Sequence, residues 1–182
     1  MFTPHTDHRI EYISLYDEAV DDDALTIEQV EKYTRTRDTS LLPFKAAGQP
    51  IIWTLAPLDR YTLKYALSTC PGAVEGGLIP EILAYHLCQV GIKGAHVEGE
   101  VEGKAAKLPP PRAPHFSLHR EGLLEKVDPG FVRAIPPEVA QEIGGVIYDL
   151  STVSEETKKK PSSPSDGKKS KKRSPAKPAR RK

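Results

Sequence analysis

A chain of 182 residues with 38% hydrophobic content is sized for one domain with an appendage. Its net charge of +1 conceals a separation: from Lys158 onward lie twelve of the 26 Lys and Arg but only one of the 25 acids, Asp166. The remaining 14 bases and 24 acids make residues 1–157 an acidic body, which excludes a uniformly basic surface and confines polyanion contact to the end of the chain.

Arg9 to Tyr16 (RIEYISLY) is β-branched and aromatic and predicts a strand. After the acidic run Asp21–Asp23, Thr26 and Gln29 are spaced as a capping box, which predicts a short polar helix over Ile27–Arg35. TRDTSLLPFKAAGQP reads as a loop. Ile51 to Ala56 alternates, predicting a strand with Ile51, Trp53 and Leu55 on an apolar face, ended by Pro57. Asp59 is the expected N-cap of a helix over 59–69, with Leu58 and Leu63 placed as a hydrophobic staple. A helix over 78–90 carries the stripe Ile79, Leu83, Leu87 and Val90, and Gly91 suits a left-handed C-terminal cap.

Lys93 to Pro114 is rich in Gly, Glu and Pro and reads as a loop or an irregular hairpin; Phe116 and Leu118 mark a short strand. A last principal helix opens at AIPPEVAQEIGGVIYDLS, where a proline in the first turn sacrifices no hydrogen bond. Its apolar face is Val139, Ile143, Val146, Ile147 and Leu150. Gly144 and Gly145 each cost about 1 kcal/mol in a helix, so close approach of another element is expected there. The class is α+β: a small mixed body with a short antiparallel sheet and three helices over 1–157, then a basic tail over 158–182. The tail has no Leu, Ile, Val, Phe, Tyr or Trp, so it cannot offset its chain entropy and is expected to be disordered.

No known ligand spacing relates His5, His8, His86, His96, His115 and His119 to Cys or carboxylates. His115 and His119 are four apart, but Pro114 and the Phe116/Leu118 alternation predict extended chain, and His86 reads as a half-buried helix residue. Asp17 and Asp21–Asp23 lack the spacing of a calcium loop. Cys88 reads as core, and a reducing setting leaves Cys70 and Cys88 as free thiols. No stretch approaches the roughly 18 apolar residues of a membrane span, and MFTPHTDHRI lacks the apolar segment of a signal peptide. The motifs G-x-S-x-G, G-x-G-x-x-G and the P-loop are absent; Gly76-Gly77 before a helix reads as an anion cradle or a flexible turn. Neither a cofactor nor an enzymatic activity is expected.

Two candidate interaction features remain. Lys168, Lys169, Lys171, Lys172, Arg173, Arg180, Arg181 and Lys182 are suited to DNA or RNA by counterion release without sequence choice, and with no aromatic for base stacking. The same tail also reads as a solubilising end, and KKSKKR as a nuclear-localisation pattern. Trp53, Tyr61 and Tyr65 are the candidate protein-interaction residues.

The element order, the strand and turn WTLAPL (53–58), the later GIKG (91–94), the helix end DLSTVSEETKKK (149–160) and YTRTRDTSLL (33–42) resemble a group of small tailed-bacteriophage proteins from the virion-assembly gene cluster, the tail assembly chaperones and minor virion proteins. The likeness runs from Tyr33 to Lys160 and does not include the basic tail. It implies a non-enzymatic assembly protein whose partners are other phage structural or tail proteins, located in the host cytoplasm during assembly or in the virion. Chaperones of this kind gain C-terminal extensions by frameshifting, for which the Lys codons at 158–160 or 168 are candidate slip sites. Two alternatives stand beside it: a structural virion protein (head–tail joining or decoration) whose tail contacts DNA, and a nucleic-acid-binding regulator acting through the tail.

Overall fold

The computed structural model describes residues 8–68, 70, 80–101, 104–110, 116–121 and 124–156. The expected tail, with its eight candidate basic residues, lies outside the described residues, as do Gly76-Gly77, Ile79 and His115.

The chain opens with β1 (Ile10–Tyr12), α1 (Ile27–Thr36), a 3-10 turn (Thr39–Leu41), β2 (Ile52–Leu55), α2 (Arg60–Ser68) and α3 (Glu81–Gly91). It continues with β3 (Ile92–Val101), β4 (Lys104–Leu108), β5 (Leu118–Glu121), β6 (Leu124–Val127), α4 (Pro129–Arg133) and α5 (Pro137–Glu156). Among the described residues the class is α+β: a four-stranded antiparallel sheet in the order β1-β2-β3-β4, a separate β5–β6 ribbon, and five α-helices.

Register places Tyr12 opposite Trp53 and Trp53 opposite Ala95, all on one face of the sheet. That face packs on α4 and α5: Trp53 meets Phe131 edge-on at 6.1 Å, and Phe131 meets Phe116 the same way at 5.3 Å. Leu55, Leu83, Leu87, Ile92, Ile143 and Ile147 are fully buried around them.

The local start signals act as expected. Thr26 and Gln29 close a capping box on α1. Asp59 accepts from Tyr61 N at 2.9 Å and Thr62 N at 3.1 Å, and its other oxygen accepts from the Thr62 hydroxyl at 2.6 Å. Burial pulls the Asp59 carboxyl up, but these donors from Thr62 and Tyr61 together outweigh it and hold it below the usual value of 3.8. A lowered carboxyl stabilises the fold above its unfolded pKa and loses that contribution as pH falls through the folded one. Asp59→Ala is therefore expected to cost about 1 kcal/mol near neutral pH. Urea melts of variant and wild type should converge in acid; a gap that persists there means the cap is not the cause.

Several expectations are corrected. The first strand ends at Tyr12 rather than Tyr16, because Ser14 and Leu15 turn their donors to Glu142 on α5. Of the two readings of Lys93–Pro114, the hairpin is the one seen among the described residues: β3 and β4 pair from Val97/Leu108 to Val101/Lys104. The alternation Ala95, Val97, Gly99, Val101 was present but diluted by Gly and Glu. Gly91 makes no left-handed cap. It is the last residue of α3, followed directly by extended Ile92, and a Cβ there would meet Ile147 Cγ2 at 2.6 Å. Close approach holds for Gly144, whose Cβ would lie 2.9 Å from Ala84 Cα, but not for Gly145, where nothing stands within 4 Å. His86 is exposed rather than half-buried. The β5–β6 ribbon and α4 were not anticipated beyond the Phe116/Leu118 strand, although Asp128-Pro129 is a helix-start signature: Asp128 accepts from Gly130 N at 2.7 Å and Phe131 N at 3.2 Å.

Three segments distant in sequence meet at one junction. Ala56 N donates to Gly91 O at 2.9 Å, and Leu58 N donates to the Ser151 hydroxyl at 2.9 Å. The strand–turn, the Gly-Ile-Lys-Gly segment and the last helix thus hold one corner of the scaffold.

Candidate ligand cavity

The loop after β1 and the loop before β2 are tied together by the Asp17 carboxylate. One oxygen accepts from Ala19 N at 2.9 Å and the other from Ile51 N at 2.9 Å. Lys45 N donates to Ala19 O at 2.9 Å, the Lys45 ammonium donates to Glu18 O at 2.9 Å, and a bridge joins Val20 to Phe44. These loops stand opposite the α4–α5 connection, and a cavity of about 570 Å³ lies between them. That volume is in the range of small-molecule sites.

Trp53, Phe131, Ile135 and Val139 are its buried apolar walls, with Ile51 half-buried beside them; Tyr16, Asp17, Glu18 and Lys45 are among its polar and aromatic lining. The Trp53 indole N–H is buried without a hydrogen-bond partner, one of two such side-chain atoms among the described residues; the other is His96 Nε2. An unpaired buried donor costs about 1–3 kcal/mol.

Among the described residues the lining holds no Ser, Cys or His, and its Asp and Lys are engaged in holding loops. Cys88, the one thiol deep in the core at 0% exposure, contacts Ala140 O at 3.4 Å, and burial pushes its pKa up, away from nucleophilic use. Cys70 is also buried and is not in a disulfide. Among the described residues no three His, Cys, Asp or Glu gather to hold a metal, and no helix is long and apolar enough to cross a membrane.

A second polar cluster is a fastener. Glu142 accepts from the Tyr12 hydroxyl at 2.6 Å, from the Ser14 hydroxyl, and from Leu15 N at 3.0 and 3.1 Å. Tyr33 accepts from Ile13 N at 3.0 Å and donates to Ile13 O at 2.5 Å, while stacking on Tyr12. Arg37 lies over the Tyr12 ring at 5.6 Å and 3.8 Å from Asp149. It is the one non-glycine with positive φ (58°) among the described residues, as the left-handed cap of α1.

Burial, and then the Glu142 carboxylate, drives the Tyr12 phenol far up; burial raises Tyr33 to about 12 against the lowering effect of its Ile13 bond. Raised pKa values keep their stabilisation below the unfolded value near 10 and lose it as pH rises through the folded ones. The protein is expected to lose about 1.4 kcal/mol per pH unit for each tyrosine above pH 10. Urea melts between pH 9 and about 11.5 check this, and a flat profile would refute it.

The three candidate aromatics do not form one face. Trp53 is 4% exposed and belongs to the core and the cavity wall, whereas Tyr61 at 85% and Tyr65 at 62% face solvent one turn apart on α2. The other cavity residues, Tyr16, Phe131, Ile135 and Val139, carried no sequence signal of a site: they come from segments more than 110 residues apart. No family model matches the chain, and no match was found among curated proteins or solved structures.

Proposed function

We propose that this is a non-enzymatic protein-binding component of tailed-bacteriophage assembly, a tail assembly chaperone that engages other virion proteins. The supporting observation is the convergence of three resemblance segments on one scaffold corner, through the Ala56–Gly91 and Leu58–Ser151 hydrogen bonds. The non-enzymatic part draws on the cavity lining, which among the described residues offers an apolar surface and no nucleophile–base pair.

Tyr61 and Tyr65 present a solvent-facing aromatic pair suited to a partner protein. Tyr61→Ala with Tyr65→Ala is expected to change stability by less than about 0.5 kcal/mol, while lowering the yield of infectious particles. Disrupting the gene in the encoding phage and imaging lysates tests the whole reading. Unassembled or aberrant tails are expected; normal virions in normal numbers would overturn it.

The charge separation favours a second reading, a structural virion protein whose basic tail meets packaged DNA. Mass spectrometry of purified virions separates the two: a chaperone is absent from the particle, a structural protein present in stoichiometric copies. A cellular regulator working through the tail instead requires DNA binding that disappears on truncation at Lys158 and falls steeply with salt.

A further inference from the structure

We infer that the exposed stripe of α2 and the basic tail together bind single-stranded nucleic acid: bases stack on Tyr61 and Tyr65, while Lys64 and the tail meet phosphates. This goes beyond the assembly reading, which gives the same tyrosines to a partner protein, and the two have separate readouts.

The stacking part follows from α2. Tyr61 and Tyr65 are 85% and 62% exposed. Four residues apart, they share one face and stand about 6 Å apart along the helix axis. Lys64 is also exposed and lies three positions from Tyr61, on that face. α2 itself contains no Asp or Glu. The acid just before it, Asp59, has both oxygens bonded to the first turn of the helix. Open aromatic rings beside a cation make a platform that tolerates any sequence, because every base has a π-face. Bases in a duplex are already stacked on one another, so the platform selects single strands.

The tail supplies the remaining charge. Its 25 residues hold twelve Lys and Arg against one acid, which suits phosphates by counterion release, but they include no aromatic. α2 carries the rings that the tail lacks. The two features meet at one corner of the body. Leu58 N, two residues before α2, donates to the Ser151 hydroxyl of α5 at 2.9 Å. α5 ends at Glu156, five residues and about 7.5 Å further on. The tail begins at Lys158, so it leaves the body close to the start of α2. At up to about 3.5 Å per residue, it is several times longer than α2 and reaches a strand lying on the tyrosines. The body's 24 acids against 14 bases disfavour a polyanion on most of the remaining surface.

The test uses the full chain with fluorescein-labelled twelve-nucleotide oligo(dT) and oligo(U), read by anisotropy. Both strands are expected to bind. Tyr61→Ala with Tyr65→Ala should weaken each by about tenfold or more, two stacked bases being lost, with an unchanged circular dichroism spectrum and an unchanged salt dependence. Tyr61→Phe with Tyr65→Phe should stay within about twofold of wild type, because phenylalanine also stacks. Lys64→Gln should reduce the steepness of log K against log salt by about 0.7, one phosphate contact being lost. Changing Lys168, Lys169, Lys171, Lys172 and Arg173 to Gln should reduce it by up to about 3.5. A twelve-base-pair duplex should bind through the tail, and the alanine pair should alter its affinity by less than about twofold.

No binding of either strand, unchanged affinity in the alanine pair, or an equal loss on strand and duplex overturns the inference. So does an undiminished salt dependence in the tail variant, which would remove the tail from the site. A twelve-residue polyglutamate that binds as tightly as oligo(dT), and is weakened equally by the alanine pair, would make the face a site for an acidic protein segment and also overturn it. None of these results touches the assembly reading, which the gene-disruption phenotype decides separately.

Discussion

Removing the Glu142 side chain is expected to be among the most damaging single changes in this protein. Glu142→Ala leaves the Tyr12 hydroxyl, the Ser14 hydroxyl and Leu15 N without their acceptor. Tyr12 and Ser14 are buried, at 1% and 0% exposure, so water does not readily replace the lost bonds. Orphaned buried donors cost about 1–3 kcal/mol each, and with partial relaxation the expected total is about 3–4 kcal/mol. Glu142→Gln keeps one acceptor oxygen but turns an NH2 toward a donor, for an expected loss of about 1–2 kcal/mol.

The conservative variant carries a second signature. The Glu142 charge is, after burial, the main cause of the raised Tyr12 pKa, so ultraviolet titration should find a buried tyrosine ionising at lower pH in Glu142→Gln than in wild type. Burial still keeps that phenol above its ordinary value. An unchanged titration with unchanged stability would mean that Glu142 does not hold the segment after β1.

The second large effect is a contrast between adjacent glycines. Gly144 stands where α5 crosses α3, and a Cβ there would sit 2.9 Å from Ala84 Cα and 3.1 Å from its Cβ. Backbone cannot move aside as a flexible side chain does. Overpacking of about 1–3 kcal/mol exceeds the roughly 1 kcal/mol that alanine returns in helix propensity. Gly144→Ala should therefore destabilise by up to about 2 kcal/mol, and Gly144→Val by about 3 kcal/mol. Gly145→Ala meets nothing within 4 Å and should stabilise by about 0.5–1 kcal/mol. Thermal melts of the three variants check the signs. A shift of Gly144→Ala in the same direction as Gly145→Ala would contradict the α3–α5 approach.

This pair also marks where sequence reading stops. Both glycines lie in a helical pattern, and the sequence alone gives the same expectation of close approach for each. Only the packing of α5 on α3 separates them, because which side of a helix meets a neighbour depends on the neighbour's position. Gly91 makes the same point: a glycine at a helix end suits a left-handed cap, yet here it admits Ile147 and the chain continues straight into β3.

What the residues determined by themselves was local or compositional. The Thr26–Gln29 capping box, the Asp59 cap and the apolar face of α5 each satisfy donors or bury surface within a few residues, so neighbours along the chain are enough to encode them. The separation of an acidic body from a basic end is likewise a property of composition. The tertiary structure alone decided that Trp53 turns inward while Tyr61 and Tyr65 turn out, that Glu142 fastens residues 127 to 130 positions away, and that loops from both halves of the chain enclose a cavity. Those outcomes depend on the complementarity of distant surfaces, whose energy belongs to pairs of segments and leaves no periodicity in either one.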